Sequence, residues 1–155
     1  MARVSAVPEG CHSVQPCLMF AGCTEAMAFY TAAFGAREVM AMRSPDGRVQ
    51  HAEMQIGDSR IMMADEAPQI EAFGTRHYGG SPISLMFYTE DTDAMYAKAL
   101  AAGAKSLREP ADQPYGVRMG GILDPFGYKW WIGTQIQAMS ASELEEALAS
   151  SAKSV

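Results

Sequence analysis

Apolar and polar residues alternate along several short segments of the chain, and two longer Ala-rich segments have helical spacing. Strict alternation over residues 48–56 predicts a strand, and the Ser-Pro-Asp-Gly run at 44–47 predicts a tight turn before it. Residues 24–34 predict a helix, which ends where a glycine follows. The predicted order is therefore β-α-β-β-β, with the remaining strands at 13–20, 36–43 and 60–64.

The C-terminal half repeats this order. Residues 25–36 and 93–104 share Ala, Met, Ala, Gly and Ala at matched positions without a gap. Two Ala-rich helices can resemble each other by chance, but here the order of the flanking elements also repeats. We therefore predict a single α+β domain over 1–155, built as paired βαβββ modules with ferredoxin-like repeats and an open cleft. The predicted parts are modules at about 11–66 and 82–136, a linker at 65–82 and a tail at 137–155 with a short C-terminal helix. Within the second module the elements are predicted at 83–89, 92–102 (helix), 104–109, 117–123 and 128–134, with a Pro-bearing loop at 110–116.

The period-two pattern assigns side chains to a face covered by each helix and to a face left open. On the strand at 48–56, the apolar Ala52, Met54 and Ile56 belong under the helix, so His51 and Glu53 share the open face. The other side chains assigned to the covered faces are Val14, Leu18, Phe20, Ile83, Leu85 and Phe87. Those assigned to the open faces are Gln15, Cys17, Met19, Ser84, Met86, Tyr88 and Trp131. Two such open faces set edge to edge would line a mostly apolar trough, which is the usual composition of a small-molecule site.

The amino-acid composition and charge argue against several classes of function. The chain has 155 residues, 48% of them hydrophobic, and a formal net charge of −6 with no basic run, which argues against nucleic-acid binding. No apolar stretch approaches the roughly 20 residues that cross a bilayer, and the N-terminus lacks a secretory apolar region. The three cysteines form no even-numbered framework. We expect a cytoplasmic protein with reduced thiols and with neither nucleic acid nor membrane as a partner.

Several motifs together resemble the vicinal oxygen chelate superfamily, which includes glyoxalase I, bleomycin- and fosfomycin-resistance proteins and extradiol dioxygenases. The motifs are the helix at 28–36, the Gly-Asp-Ser turn at 57–59, the Glu-Asp-Thr-Asp-Ala run at 90–94 and the Asp-Pro-Phe-Gly-Tyr-Lys-Trp run at 124–130. The match is closest to the PhnB-like branch. This resemblance implies paired modules around a cleft, normally completed in a homodimer.

The family's enzymes hold a divalent metal through the first and fourth strands of each module. Carried over by position, those ligands fall on Gln15, Ser84, Met62 (or Met63) and Trp131. Serine, methionine and tryptophan are poor ligands for such ions. The resemblance therefore predicts no metal site of the usual kind and no other cofactor, although a divalent metal elsewhere stays open.

Two further groups of residues carry candidate chemistry. His51 and Glu53 point the same way on one strand, so they could share a metal or act as an acid–base pair, and the alternative is an ordinary polar pair. Tyr115 and Arg118 lie in the aromatic-Gly-x-Arg-x-Gly run before Asp124. Arg118 could bind an anionic group of a ligand, or it could pair with a structural carboxylate such as Asp124.

Three hypotheses of function follow. The first is a homodimeric binding protein for a small apolar or aromatic molecule, without metal, whose ligand-binding residues are Gln15, Met19, Met62, Met86, Tyr88, Tyr115, Arg118 and Trp131. The second is a metal-dependent enzyme of the lyase, isomerase or dioxygenase type that uses a relocated catalytic site at His51 and Glu53. The third is a structural or interaction module with a filled cleft.

Overall fold

The computed structural model describes residues 4–152, with side chains to residue 150. The chain divides into two compact units with a boundary between Ser81 and Pro82, and each unit holds one βαβββ module. The predicted α+β class and element order are confirmed. The first unit contains β1 (Cys17–Phe20), α1 (Cys23–Phe34), β2 (Arg37–Arg43), β3 (Val49–Ile56), β4 (Ser59–Asp65) and a 3₁₀ turn (Pro68–Ile70). The second contains β5 (Ser84–Tyr88), α2 (Thr92–Ala101), β6 (Lys105–Asp112), β7 (Val117–Leu123), β8 (Lys129–Gln135) and α3 (Ala141–Ala152).

The N-terminal sheet has the strand order β1-β4-β3-β2, in which β1 runs parallel to β4 and the other pairs are antiparallel. Helix α1 covers one face. Aromatic residues of the helix pack against each other and against β1. Tyr30 is stacked on Phe34 at a centroid distance of 5.9 Å and meets Phe20 of β1 edge-on at 6.1 Å. Met54 and Met63 are buried on the same side of the sheet. The predicted alternation of β3 is confirmed, because its buried residues include Ala52, Met54 and Ile56.

The first strand is shorter than the predicted 13–20, since β1 begins at Cys17. Pro16 has no N–H to donate to a neighbouring strand, although its carbonyl accepts from Met62 N at 2.8 Å. The predicted inward position of Val14 is wrong, because that side chain is 84% exposed. Leu18 and Phe20 are buried as predicted.

The C-terminal sheet has the order β5-β8-β7-β6 and is covered on one face by α2. Trp130 and Ile132 of β8 are buried, whereas Trp131 between them is on the other face and half-buried, as predicted. Strand β6 continues to Asp112 instead of ending at 109. It can include Pro110 because β6 is an edge strand, where a missing N–H breaks no ladder. Ile83 precedes β5 and is exposed, so its predicted inward position is wrong.

The turn between β7 and β8 is organised by the buried carboxylate of Asp124. Its Oδ1 accepts from the backbone N–H groups of Phe126 and Tyr128, both at 2.9 Å, and its Oδ2 accepts from Trp130 Nε1 at 3.1 Å. Gly127 has a φ of +91°, which glycine adopts without strain. The Asp-Pro-Phe-Gly signature therefore forms the tight turn that the sequence predicts.

The predicted C-terminal helix is present as α3, and it begins with a capping box. Ser140 N donates to Glu143 Oε2 at 2.7 Å, and Glu143 N donates to Ser140 Oγ at 3.4 Å. Among residues 4–152, no helix has the length and apolar character needed to traverse a bilayer.

Candidate functional site

The face of the N-terminal sheet that points away from α1 carries a methionine-rich surface, which we call the N-terminal open face. Its residues are Cys17, Met19, Met40, Met42, His51, Glu53, Arg60 and Met62. One cross-strand row is set by the register of four strands, in which Met40 pairs with Glu53, Glu53 with Met62, and Met62 with Cys17. Met42 pairs with His51 beside this row. The structure thus brings together the predicted site residues Met19, His51, Glu53 and Met62.

Three side chains, His51, Glu53 and Arg60, form a polar row across this surface. Glu53 uses one carboxylate oxygen to contact His51 Nε2 at 3.4 Å and the other to accept from Arg60 Nη1 at 2.9 Å. The side chains of Glu53 and Arg60 are 14% and 15% exposed, whereas that of His51 is 34% exposed. The imidazole is therefore the accessible end of the row. Sequence reasoning did not include Arg60, although the period-two count from Met62 along β4 leads to it.

Residues before β1 contact the Arg60 end of this polar row. Cys11 Sγ lies 3.5 Å from Arg60 Nη1, and a Cβ atom added to Gly10 would lie 2.5 Å from Arg60 Nη2. Gln15, predicted as a ligand residue, lies before β1 and bonds to the backbone. In the amide orientation that satisfies both of its atoms, its nitrogen donates to Arg60 O at 3.0 Å and its oxygen accepts from His12 N at 3.3 Å.

The C-terminal sheet has a corresponding surface away from α2, the C-terminal open face, formed by Met86, Tyr88, Met119, Gly121, Trp131 and Gly133. Met86 pairs with Trp131 in register, and Tyr88 pairs with Gly133. The glycines leave room for large side chains to lie against the sheet: a Cβ atom on Gly121 would be 2.4 Å from Trp131 Cζ3, and one on Gly133 would be 2.5 Å from Met86 Cε. Met86 and Tyr88 are 40% and 64% exposed. The predicted residues Met86, Tyr88 and Trp131 therefore share one surface.

An open pocket of about 590 Å³ lies at the end of β5 and β8. Of its lining residues, only Tyr88 was predicted from the sequence. The full lining is Tyr88, Thr89, Glu90, Val117, Thr134 and Gln135. The Thr134 hydroxyl donates to Thr89 O at 2.8 Å and accepts from Thr92 N at 3.1 Å, so it holds the start of α2 in place.

Tyr115 and Arg118 lie in different surroundings. The hydroxyl of Tyr115 is 4.0 Å from Met119 Sδ, which places it beside the C-terminal open face. Arg118 lies on the side of α2: its guanidinium forms a forked pair with Asp93 of that helix, one arm at 2.7 Å, and reaches Asp112 at 2.9 Å. Its carboxylate partners are thus Asp93 and Asp112, not Asp124, and an anion-binding role for Arg118 stays a prediction.

Because of these ion pairs, part of the free energy of unfolding depends on pH. The Arg118 hydrogen bonds hold the pKa of Asp93 below its usual value, and the two carboxylates raise the pKa of Arg118. A carboxylate with a lowered folded-state pKa contributes stability above its unfolded pKa, about 3.9, and loses it as pH falls through the folded value. We therefore expect Arg118→Gln to destabilise the protein at pH 7 and much less below pH 3. Urea unfolding at both pH values tests this, with Glu109→Gln as an exposed control that should show no such convergence.

The residues at the inherited metal positions do not fit a divalent ion. Gln15 bonds to the backbone, Met62 and Trp131 offer no oxygen or imidazole ligand, and Ser84 is exposed at the start of β5. In the described part of the chain, no group of three or more His, Cys, Asp and Glu side chains is arranged to hold a metal.

Burial raises the pKa of the Cys17 thiol, so Cys17 contributes to the N-terminal open face in its protonated form at neutral pH.

The chain is similar to known proteins in both sequence and fold. A sequence model of the Glyoxalase/Bleomycin resistance protein/Dioxygenase superfamily matches residues 16–132. An uncharacterized protein of Mycobacterium bovis is 31% identical over 141 residues, which cover 89% of this chain and 93% of that protein. The X-ray structure of the Arabidopsis thaliana gene product At5g48480 is 28% identical, with a TM-score of 0.63 over 78% of this chain and 97% of that one.

A Bacillus cereus PhnB protein, described as a putative 3-demethylubiquinone-9 3-methyltransferase, has the same fold. It is 24% identical, with a TM-score of 0.63 over 79% of this chain and 99% of that one. The family match covers parts of both units, and the resemblance read from the motifs is confirmed. The chain belongs to the glyoxalase/bleomycin resistance protein/dioxygenase superfamily.

Proposed function

We propose that the protein binds a small organic molecule with an apolar or aromatic body, and that it does so without the divalent metal used by enzymes of its superfamily. The observation that carries this proposal is the make-up of the N-terminal open face. Methionines on β1, β4 and β2 surround a short polar row on β3 and β4, and Met40 and Met42 are partly exposed. Methionine side chains are flexible and polarisable, which suits a surface that contacts an apolar ligand.

The C-terminal open face supports the same function independently. Trp131 lies against Gly121 and presents a large flat ring beside Met86. Aromatic rings supply stacking area with little loss of conformational freedom, and they often bind planar ligands. Tyr88 and the pocket at the ends of β5 and β8 extend this surface.

The metal-free part of the proposal rests on the chemistry of the residues at the inherited positions. The sulfur and indole groups of Met62 and Trp131 replace the expected oxygen ligands, and Glu53 is already paired with the Arg60 guanidinium. Elemental analysis of purified protein tests this part. Stoichiometric zinc, manganese, nickel or iron that is lost in His51→Ala would overturn it in favour of an enzyme with a relocated metal site. The homodimer, the cytoplasmic location and the third hypothesis of a filled cleft stay predictions.

Ligand binding can be tested with 2-methoxynaphthalene, an apolar aromatic probe, and protein labelled with ¹³C at the methionine methyl groups. We expect the probe to shift the methyl signals of Met19 and Met62 on the N-terminal open face. Met54 and Met63 are matched controls, because they belong to the same sheet and are buried under α1. Equal shifts at all four methionines, or no shift at any, would overturn the proposed function of this face.

For the C-terminal open face, Trp131→Ala should raise the Kd for 2-methoxynaphthalene about tenfold, since it removes the stacking ring. Isothermal titration calorimetry measures this change. Lys98→Ala on the exposed side of α2 is the control and should leave the Kd unchanged. An unchanged Kd in Trp131→Ala would show that the C-terminal open face does not bind this probe.

A further inference from the structure

We propose that His51 recognises a hydroxyl group of the bound molecule through Nδ1, and that Glu53 and Arg60 are positioning residues that hold the imidazole in the tautomer required. The ligand class is then a phenol or alcohol with an apolar body. This inference rests on the proposed function, since it names the polar group that the N-terminal open face selects.

The hydrogen bond between Glu53 and His51 decides which imidazole nitrogen carries the proton. An ionised carboxylate only accepts hydrogen bonds, so the imidazole nitrogen that faces it carries the proton. The atom 3.4 Å from Glu53 Oε1 is His51 Nε2. In the neutral ring the other nitrogen, Nδ1, is then an acceptor, and it can receive an O–H from a ligand.

The Arg60 guanidinium holds the Glu53 carboxylate in a fixed orientation. Arg60 donates to Glu53 Oε2 at 2.9 Å, and this pair is mostly buried, with about 15% of each side chain exposed. Cys11 Sγ lies 3.5 Å from the same Nη1 atom and Gly10 lies against Nη2, so both residues limit the movement of the guanidinium. The two oxygens of Glu53 therefore have separate partners, so the carboxylate has little freedom to rotate away from His51.

Methionine side chains lie next to the accessible imidazole and its carboxylate partner. Met42 is the cross-strand partner of His51, and Met40 and Met62 flank Glu53. A ligand that contacts His51 thus contacts thioether side chains at the same time. Because Arg60 is already paired with Glu53, the polar row has no unpaired positive charge for an anion. A neutral hydroxyl on an apolar frame fits these groups best.

The experiment has a spectroscopic arm and a binding arm. In protein with ¹⁵N-labelled histidine, two-bond ¹H–¹⁵N spectra at pH 8 should show His51 in one tautomer with its proton on Nε2. Arg60→Met should shift His51 toward a tautomer mixture, whereas Arg60→Lys, which keeps a cation beside Glu53, should restore the wild-type spectrum in part. An Nδ1-protonated His51 in the wild type, or an Arg60→Met spectrum identical to the wild type, would overturn the positioning role.

The binding arm compares 2-naphthol with 2-methoxynaphthalene, which differ in the hydroxyl hydrogen and one methyl group. One hydrogen bond of ordinary strength corresponds to an approximately tenfold preference for 2-naphthol in the wild type. His51→Phe should abolish this preference, so that the two probes bind the variant with the same Kd. If the wild type binds both probes equally, the inference fails and the proposed function stands. If neither probe binds, the proposed function fails. The histidine spectra need no ligand and test the tautomer in either case.

Discussion

Asp124→Ala should lower the free energy of unfolding by about 3–4 kcal/mol, one of the two largest losses that we expect from a single substitution. The carboxylate is 3% exposed, and it accepts from the backbone of Phe126 and Tyr128 and from the indole of Trp130. Alanine would leave these donors without that acceptor in a place where water cannot easily replace it. Chemical unfolding followed by circular dichroism measures the loss.

Asp124→Asn and Asp58→Ala are the controls for this experiment. Asparagine keeps an oxygen for the two backbone donors but places an NH₂ group against the Trp130 indole, so we expect an intermediate loss of about 2 kcal/mol. Asp58 is in the exposed turn between β3 and β4 of the other unit, and its replacement should change stability by no more than about 0.5 kcal/mol. A loss in Asp124→Ala as small as that in Asp58→Ala would contradict the assigned role of Asp124.

Tyr30→Ala should destabilise the N-terminal unit by about 4 kcal/mol, because it removes a large ring from a closely packed core. Tyr30 is fully buried, stacks on Phe34 and meets Phe29 edge-on at 5.4 Å. Alanine would leave a cavity that the surrounding rings cannot fill. Thermal and urea unfolding of the variant, compared with wild type, give the measured value.

Thr31→Ala, at the next position of the same helix, is the matched control. Its side chain is exposed and its hydroxyl donates to the Met27 carbonyl within the helix, so replacement should be close to neutral. Tyr30→Phe retains the ring and should lose less than half as much stability as Tyr30→Ala. Similar losses in Tyr30→Ala and Thr31→Ala would show that the aromatic cluster does not dominate this core.

The sequence predicted most of the fold because each element has a local signal. Alternation identified β3, the glycine after residue 34 marked the end of α1, and the repeat between the two helices indicated the duplicated module. The errors in strand length occurred at prolines, whose effect on a strand depends on where that strand lies in the sheet. Strand β1 starts late because Pro16 has no N–H for the sheet, and β6 extends through Pro110 because its position at the sheet edge tolerates that residue.

The candidate site was predicted in part. Period-two alternation placed His51 and Glu53 on one face, and it separated Trp131 from its buried neighbours Trp130 and Ile132. It did not reveal Arg60 as the partner of Glu53, since that pairing depends on the register of β3 against β4. The pocket residues other than Tyr88 were also missed, because they come from three separate strand ends.

The sequence alone determined the number and order of the elements, the covered and open faces of most strands, and the family, because these depend on spacing and on motifs within short segments. Only the tertiary structure decided which side chains meet across strands. It assigned Arg118 to Asp93 and Asp112, joined Arg60, Glu53 and His51 in one row, and placed Trp131 over Gly121. Those pairings follow from strand register and helix placement, which are set by the packing of the whole unit and leave no signature in the neighbouring residues.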